Sequence, residues 1–132
     1  MKIFLVDDDI SRMKLFKDYL EKFCSCKIVQ ARDPQEALKI LQVNLDCDLI
    51  SLDIMMTVKD PKFSAESDAG MDAGLLLLDK IHDTTKGRIP IVVLTARQDL
   101  KKLHNDERVL AYFKKPLSPR EYYEKVKELL EG

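Results

Sequence analysis

Three short apolar runs constrain the fold of this chain more than any other feature. They are KIFLV at residues 2–6, LISLD at residues 49–53 and IVVLT at residues 91–95. Each has the length of one strand and lacks a regular alternation of apolar and polar residues, which is typical of strands covered on both faces. Strands of this kind belong to parallel sheets between two layers of helices. The three runs therefore predict an α/β fold.

The segments between these runs complete a repeating pattern of strands and helices. Two further apolar runs, KIVQA at residues 27–31 and VLAYF at residues 109–113, predict two more strands. Apolar residues three and four apart, with polar residues such as Arg12 on the opposite face, predict helices. The five predicted helices span residues 10–23, 34–41, 70–82, 97–108 and 119–130. Five units in alternation predict a parallel sheet with right-handed connections and helices on both faces.

Capping signals mark where three of these helices begin. The segment Asp33-Pro34-Gln35-Glu36 combines a capping aspartate, a proline at the first helical position and a glutamate that can bond back to the cap. The segment Ser118-Pro119-Arg120-Glu121 repeats this pattern. Asp9 or Ser11 lies at the N-cap of the first helix.

The composition favours one compact domain over residues 1–132. The formal net charge is −1, from 22 basic and 23 acidic residues, so no global field recruits nucleic acid or an anionic membrane. No apolar run approaches the roughly 20 residues of a membrane span. Cys24, Cys26 and Cys47 show no C-x-x-C spacing, which favours reduced thiols. We therefore expect a cytoplasmic protein without membrane insertion or direct nucleic-acid binding.

Residues 57–69, TVKDPKFSAESDA, form a long polar insertion between the third strand and the third helix. Most connections of this type have about 2–6 residues. Two interpretations stay open for this inserted loop. It is a solvated loop, as its composition suggests, or it partly covers the site beside it or contacts a specific partner.

Polar side chains follow the apolar runs at the positions where a parallel sheet binds ligands. Asp7, Asp8, Asp53, Thr95 and Lys115 all fall at the carboxyl ends of predicted strands, which meet at one edge of the sheet. Clustered carboxylates repel one another, and a divalent cation would neutralise them. Ligands that are all oxygen favour Mg²⁺, or Mn²⁺ in its place.

A lone carboxylate beside such a metal can act as a nucleophile toward phosphorus. Asp53 suits this role, with Lys115 as a point charge on a phosphate oxygen and the Thr95 hydroxyl as a hydrogen-bond donor. Neither His82 nor His104 falls at a strand end, so we expect no catalytic histidine.

The sequence resembles a receiver domain of the response-regulator family over essentially its whole length. The matching motifs are VDDD at residues 6–9, LDIMM at residues 52–56, LTA at residues 94–96 and YFKKP at residues 112–116. The resemblance implies a flavodoxin-like doubly wound sheet with strand order 2-1-3-4-5 and five helices. It also implies a two-component signalling module that catalyses only its own phosphorylation and dephosphorylation, and is not otherwise an enzyme.

The resemblance assigns a role to each residue of the predicted site. Asp53 would accept a phosphoryl group from a phosphohistidine on a sensor histidine kinase or a histidine phosphotransfer protein. Asp53 and Asp8 would ligate Mg²⁺ directly, Asp7 through water and Met55 through its backbone carbonyl. Thr95 and Lys115 would hold the phosphoryl oxygens. Tyr112 would swing inward with Thr95 on activation, and the Lys115-Pro116 peptide would be cis.

The chain departs from the family pattern in two places. Thr57 replaces the usual proline and the inserted loop follows it, while residues 107–110, ERVL, replace a small Gly-Ala pair before the fifth strand. The fourth helix, fifth strand and fifth helix form the face that normally meets partners. The downstream protein therefore stays unknown, and a phosphorylation-dependent dimer is compatible with this face.

One alternative comes from a different class. Asp7-x-Asp9-x-Ser11 loosely echoes the first-strand D-x-D-x-T motif of haloacid-dehalogenase-like phosphatases. In such an enzyme Asp7, and not Asp53, would be the nucleophile.

Overall fold

The computed structural model describes residues 1–43, 46–53, 70–95 and 107–131, apart from the side chains of residues 70–76 and Thr95. Its strands are β1 (Lys2–Val6), β2 (Lys27–Ala31), β3 (Leu49–Asp53), β4 (Ile91–Thr95) and β5 (Ala111–Lys114). Its helices are α1 (Ile10–Phe23), α2 (Pro34–Val43), α3 (Gly70–Thr85) and α4 (Pro119–Glu131). The five strands form one sheet in the order β2-β1-β3-β4-β5, and every pairing is parallel.

The predicted α/β architecture and strand order are confirmed, while the number of helices differs from the five expected. The described residues contain four helices. The helix predicted over residues 97–108 lies outside them, except for residues 107 and 108, which form a turn. The inserted loop, residues 57–69, also lies outside, so the choice between its two interpretations stays open.

The main differences in element boundaries concern β5, α2 and α3. β5 begins at Ala111 and not at residue 109, because the register pairs Ala111 with Val92 and the turn before it is tied to α3 by an ion pair between Arg108 and Asp79. α2 ends at Val43 and not at residue 41. α3 continues to Thr85 and not only to residue 82, where Lys86 and Gly87 leave the helix with positive φ angles of 55° and 71°.

Helix starts follow the predicted capping signals. Asp9 is the N-cap of α1, and its side chain accepts the N–H of Arg12 at 3.0 Å. Asp33 accepts the N–H of Glu36 at 2.8 Å at the start of α2. At the start of α4, the N–H of Glu121 donates to the Ser118 hydroxyl at 3.1 Å. These local bonds fix where each helix leaves the carboxyl edge of the sheet.

The sheet has an apolar core on each face. One core packs α2 and α3 against β-strand residues Phe4, Val6, Ile50, Leu52, Ile91 and Val93. The other packs α1 and α4 against Ile3, Leu5, Leu49, Val92, Leu94 and Phe113. Neighbouring residues of one strand thus point to opposite cores, as the lack of alternation in the apolar runs predicted. No helix in the described part of the chain is long and apolar enough to cross a membrane.

Candidate phosphoacceptor and metal site

Three carboxylates meet at the carboxyl edge of the sheet. Asp53 is the last residue of β3, and Asp7 and Asp8 directly follow β1, its hydrogen-bonded neighbour. One carboxylate oxygen from each lies within 4.8 Å of the others. Asp7 and Asp53 are buried, whereas Asp8 is partly exposed. The predicted acidic cluster therefore exists, and it is open to solvent on the side of Asp8.

Lys115 reaches this cluster from β5, two strands away from β3. Its Nζ atom lies 3.1 Å from Asp53 Oδ2 and 3.7 Å from Asp7 Oδ2. Only 11% of the Lys115 side chain is exposed, so the ammonium group is held between the acids and not in bulk water. The Lys115-Pro116 peptide is cis, as the resemblance implies.

The electrostatics of Asp7 reflect this crowding. Burial raises the pKa of Asp7 to about 6, and the nearby Asp53 carboxylate adds to the rise. The Asp9 N–H, which donates to Asp7 Oδ1 at 2.9 Å, and the Lys115 ammonium act in the opposite direction. Burial disfavours the ionised form of Asp7, Asp53 adds negative charge beside it, and a cation at the cluster would favour ionisation of both acids.

Arg12 is a part of the site that the sequence pattern did not reveal. Its Nη1 lies 3.1 Å from Asp7 Oδ2 and its Nη2 lies 3.2 Å from Asp9 Oδ2. The helical period places Arg12 on the polar face of α1, and this much is correct. The available signal was its position three residues after the N-cap Asp9, which lets a long side chain fold back over the start of the helix.

The remaining predicted residues are placed only in part. Thr95 ends β4, beside Lys114 of β5, but its side chain lies outside the described residues, as does Met55. Tyr112 is on β5, where it pairs with Val93 of β4. It packs against the core on the α2 and α3 side, and its hydroxyl is buried. The described geometry thus unites Asp7, Asp8, Asp53 and Lys115, and it adds Arg12.

The donor set suits the predicted ion. The clustered ligand atoms of Asp7, Asp8 and Asp53 are all carboxylate oxygens, which Mg²⁺ and Mn²⁺ prefer over softer metals. The partly exposed Asp8 leaves room for the waters that Mg²⁺ retains.

Comparison with known proteins decides the family. A family model of the response regulator receiver domain matches residues 3–127. The chain belongs to this family. Comparison with curated protein sequences finds no match.

Solved structures of receiver proteins are similar over nearly the whole chain. A two-component response regulator from Clostridium difficile has 28% identity and a TM-score of 0.79, covering 99% of this chain and 96% of that one. A CheY-like receiver domain protein from Methanospirillum hungatei has 26% identity and a TM-score of 0.77, covering 98% and 93%. TrrA from Thermotoga maritima, solved in complex with Mg²⁺-BeF, has 27% identity and a TM-score of 0.73, covering 97% of both chains.

The phosphatase alternative finds no support in these comparisons. The family match and the similar structures point to receiver domains. Local geometry agrees, because both Asp9 carboxylate oxygens serve structural contacts in this receiver domain. Oδ1 caps α1 through the N–H of Arg12, and Oδ2 pairs with the Arg12 guanidinium.

Proposed function

We propose that this receiver domain accepts a phosphoryl group on Asp53 from a phosphohistidine of a sensor histidine kinase or a histidine phosphotransfer protein. The observation that carries the proposal is the contact of 3.1 Å between Lys115 Nζ and Asp53 Oδ2, in a cluster that also contains Asp7 and Asp8. A buried carboxylate can act as the nucleophile in phosphoryl transfer. A cation fixed beside it can then balance the negative charge of the phosphoryl group that it receives.

The transfer conserves one phosphoryl group. A carboxylate oxygen of Asp53 attacks phosphorus, and a new P–O bond forms as the P–N bond to the donor imidazole breaks. The imidazole keeps the electron pair of that bond and takes a proton from solvent. The product on Asp53 is an acyl phosphate. Lys115 stays close enough to balance the phosphoryl charge, and no general base of this chain is required.

A divalent cation completes the charge balance. Asp8 and Asp53 would hold Mg²⁺ or Mn²⁺ directly, with the Met55 carbonyl as a further ligand and Asp7 bound through water. When bound, the ion neutralises the acids and the phosphoryl oxygens. The all-oxygen donor set and the close approach of three carboxylates support this assignment.

The signal would then pass to a downstream protein through the face that includes β5 and α4. Thr95 would hold a phosphoryl oxygen. Tyr112 of β5, whose hydroxyl is buried, would swing inward on activation. We propose a cytoplasmic signalling module with no catalytic output beyond its own phosphorylation and dephosphorylation, and with no direct contact to nucleic acid. Phosphorylation-dependent dimerisation is a second route by which the same face could act.

Phosphoryl labelling tests the proposal directly. The protein is incubated with Mg²⁺ and acetyl phosphate, a small-molecule donor, and the acyl phosphate is detected by intact-protein mass spectrometry. Labelling should be abolished in Asp53→Asn and retained in Asp18→Asn, which changes an exposed acid on α1. Labelling that persists in Asp53→Asn would refute the assignment of the acceptor.

A further inference from the structure

The carboxylate of Asp7 already has partners on both oxygens. Oδ1 accepts the N–H of Asp9 at 2.9 Å. Oδ2 lies 3.1 Å from Arg12 Nη1 and 3.7 Å from Lys115 Nζ. Asp7 Oδ2, through which Asp7 would hold a water molecule of a bound cation, is therefore shared by two side-chain cations.

Arg12 is built to reach this oxygen from the start of α1. Its backbone N–H is bound to Asp9 Oδ1 at 3.0 Å, and its Nη2 lies 3.2 Å from Asp9 Oδ2. The planar guanidinium thus spans two carboxylates, with one nitrogen on Asp7 and the other on Asp9. The side chain is 34% exposed, so it can turn away from Asp7 toward solvent without disturbing the apolar core.

A cation among the acids and the guanidinium on Asp7 oppose each other. Both are positive, and both draw on the charge of the same carboxylate, so each weakens the binding of the other. A neutral partner outside a metal site usually strengthens the ligand that it orients. Arg12 differs because it is not neutral. Its guanidinium brings one unit of positive charge next to the site.

We propose that Arg12 competes with Mg²⁺ for Asp7, and so acts as a positioning residue that occupies the site in the metal-free protein and lowers its Mg²⁺ affinity. This inference rests on the proposed function only in that the acidic cluster binds Mg²⁺. When Mg²⁺ is bound, the Arg12 guanidinium gives up Asp7 and keeps Asp9. The contact between Arg12 and Asp7 thereby becomes a marker of the metal-free state.

Calorimetric titration of the full chain with MgCl₂ at fixed ionic strength tests the competition. Arg12→Gln removes the charge but keeps a polar side chain, and loss of the repulsion between the guanidinium and the ion should make it bind Mg²⁺ about 10-fold more tightly than the wild type. Arg12→Lys keeps the charge without the fork and should fall between the two. The matched control is Arg120→Gln, because Arg120 is 77% exposed and pairs with Glu124 on α4. Its Mg²⁺ affinity should equal that of the wild type.

A second measurement needs no variant. In ¹⁵N-labelled wild-type protein, the guanidinium NMR signals of Arg12 should be protected from solvent exchange without metal, and they should lose part of this protection on addition of Mg²⁺, when the contact with Asp7 breaks and the contact with Asp9 stays. Equal or weaker Mg²⁺ binding by Arg12→Gln, or unchanged Arg12 signals at saturating Mg²⁺, would overturn the inference. Failure of the wild type to bind Mg²⁺ would instead overturn the metal site of the proposed function, so the two failures are distinguishable.

Discussion

Ser51 and Asp53 lie two residues apart on β3, and strand geometry points both side chains to the same face of the sheet. They are almost equally buried, with 3% and 4% of each residue exposed. Their partners differ in kind. The Ser51 hydroxyl is hydrogen-bonded to the Tyr122 hydroxyl of α4, whereas the Asp53 carboxylate shares the ammonium of Lys115 with Asp7. Burial therefore does not distinguish the structural residue Ser51 from Asp53, the candidate functional residue. The charge of their surroundings does, because Ser51 has a neutral partner and Asp53 lies among charged groups.

The pair of Ser51 and Tyr122 is complete in itself. Tyr122 is fully buried, and its ring packs against Phe16 and Phe113 at centroid distances of 5.3 Å and 6.0 Å. Burial raises the pKa of Tyr122, so the phenol stays neutral. Two neutral hydroxyls can hydrogen-bond to each other inside an apolar core without adding any charge to it. Asp7, Asp8 and Asp53 cannot do so, because three carboxylates at the carboxyl edge face the two positive charges of Lys115 and Arg12.

The largest effect should come from the structural member of this comparison. Tyr122→Ala removes a fully buried ring and should lower the free energy of unfolding by about 3–5 kcal/mol. Urea unfolding followed by circular dichroism measures this loss. Tyr123→Ala, at a partly exposed position of the same helix, is the control and should cost less than half as much. Equal losses in the two variants would contradict the central packing role of Tyr122.

Asp7→Asn should raise the free energy of unfolding of the metal-free protein at neutral pH, whereas Tyr122→Ala lowers it. Burial raises the pKa of Asp7 to about 6, above the ordinary value of about 4. The unfolded chain thus releases this proton at lower pH than the folded protein, so the unfolding free energy falls as pH rises between these values and stays lower above them. At about 1.4 kcal/mol per pKa unit, the gain has an upper limit of about 3 kcal/mol.

Unfolding in urea with EDTA, near pH 4 and again near pH 8, measures the effect of Asp7→Asn. The gain over the wild type should be clear near pH 8 and small near pH 4, where the Asp7 carboxyl is protonated in the folded protein. A variant less stable than the wild type at both pH values would mean that the contacts of Asp7 with Arg12 and Lys115 outweigh its burial.

The acidic site could be predicted from the sequence, whereas the hydrogen bond between Ser51 and Tyr122 could not. Asp53 and Asp7 could be placed because each ends an apolar run, and the ends of parallel strands share one edge of the sheet. Lys115 was found by the same rule, although β5 itself begins later than its apolar run. Position along a strand is a local property that the sequence carries directly.

Contacts between side chains of different elements could not be predicted in the same way. The bond of Ser51 to Tyr122 joins residues 71 positions apart, and it depends on how α4 packs against the sheet. Ser51 merely interrupts an apolar run, and Tyr122 has the spacing of a core residue. Arg12 has the spacing of a solvent-facing residue, and only the fold of its long side chain over Asp9 brings it to Asp7.

Added Mg²⁺ should stabilise the folded protein only if the acidic cluster around Asp53 is intact. A ligand at ten times its Kd that binds only the folded state raises the free energy of unfolding by about 1.4 kcal/mol. The wild type and Tyr122→Phe should both show this increment between EDTA and MgCl₂ in urea unfolding, whereas Asp53→Asn should lose most of it. An increment of the same size in Asp53→Asn would place the ion elsewhere than among these acids.

The smallest expected effect concerns the bond between the two hydroxyls. Tyr122→Phe leaves the Ser51 hydroxyl buried without the phenol, and Ser51→Ala leaves the phenol buried without Ser51, so each should destabilise the protein. The double variant leaves neither hydroxyl behind and should cost less than the sum of the single changes. The coupling energy from this cycle should be about 1 kcal/mol, the net worth of one buried hydrogen bond.

Both single variants and the double variant should keep full labelling of Asp53 by acetyl phosphate. The hydroxyls of Ser51 and Tyr122 are neutral, so their loss does not change the charge of the site. Additive losses in the cycle would show that each hydroxyl finds another partner when the first is removed. A cavity of about 20 Å³, lined by Ser51, Asp53 and Asp7 among others, offers space for such a partner, because it is large enough for one water molecule. Reduced labelling together with additive losses would then make Ser51 part of the proposed phosphoacceptor site, and the contrast between the two residues of β3 would fail.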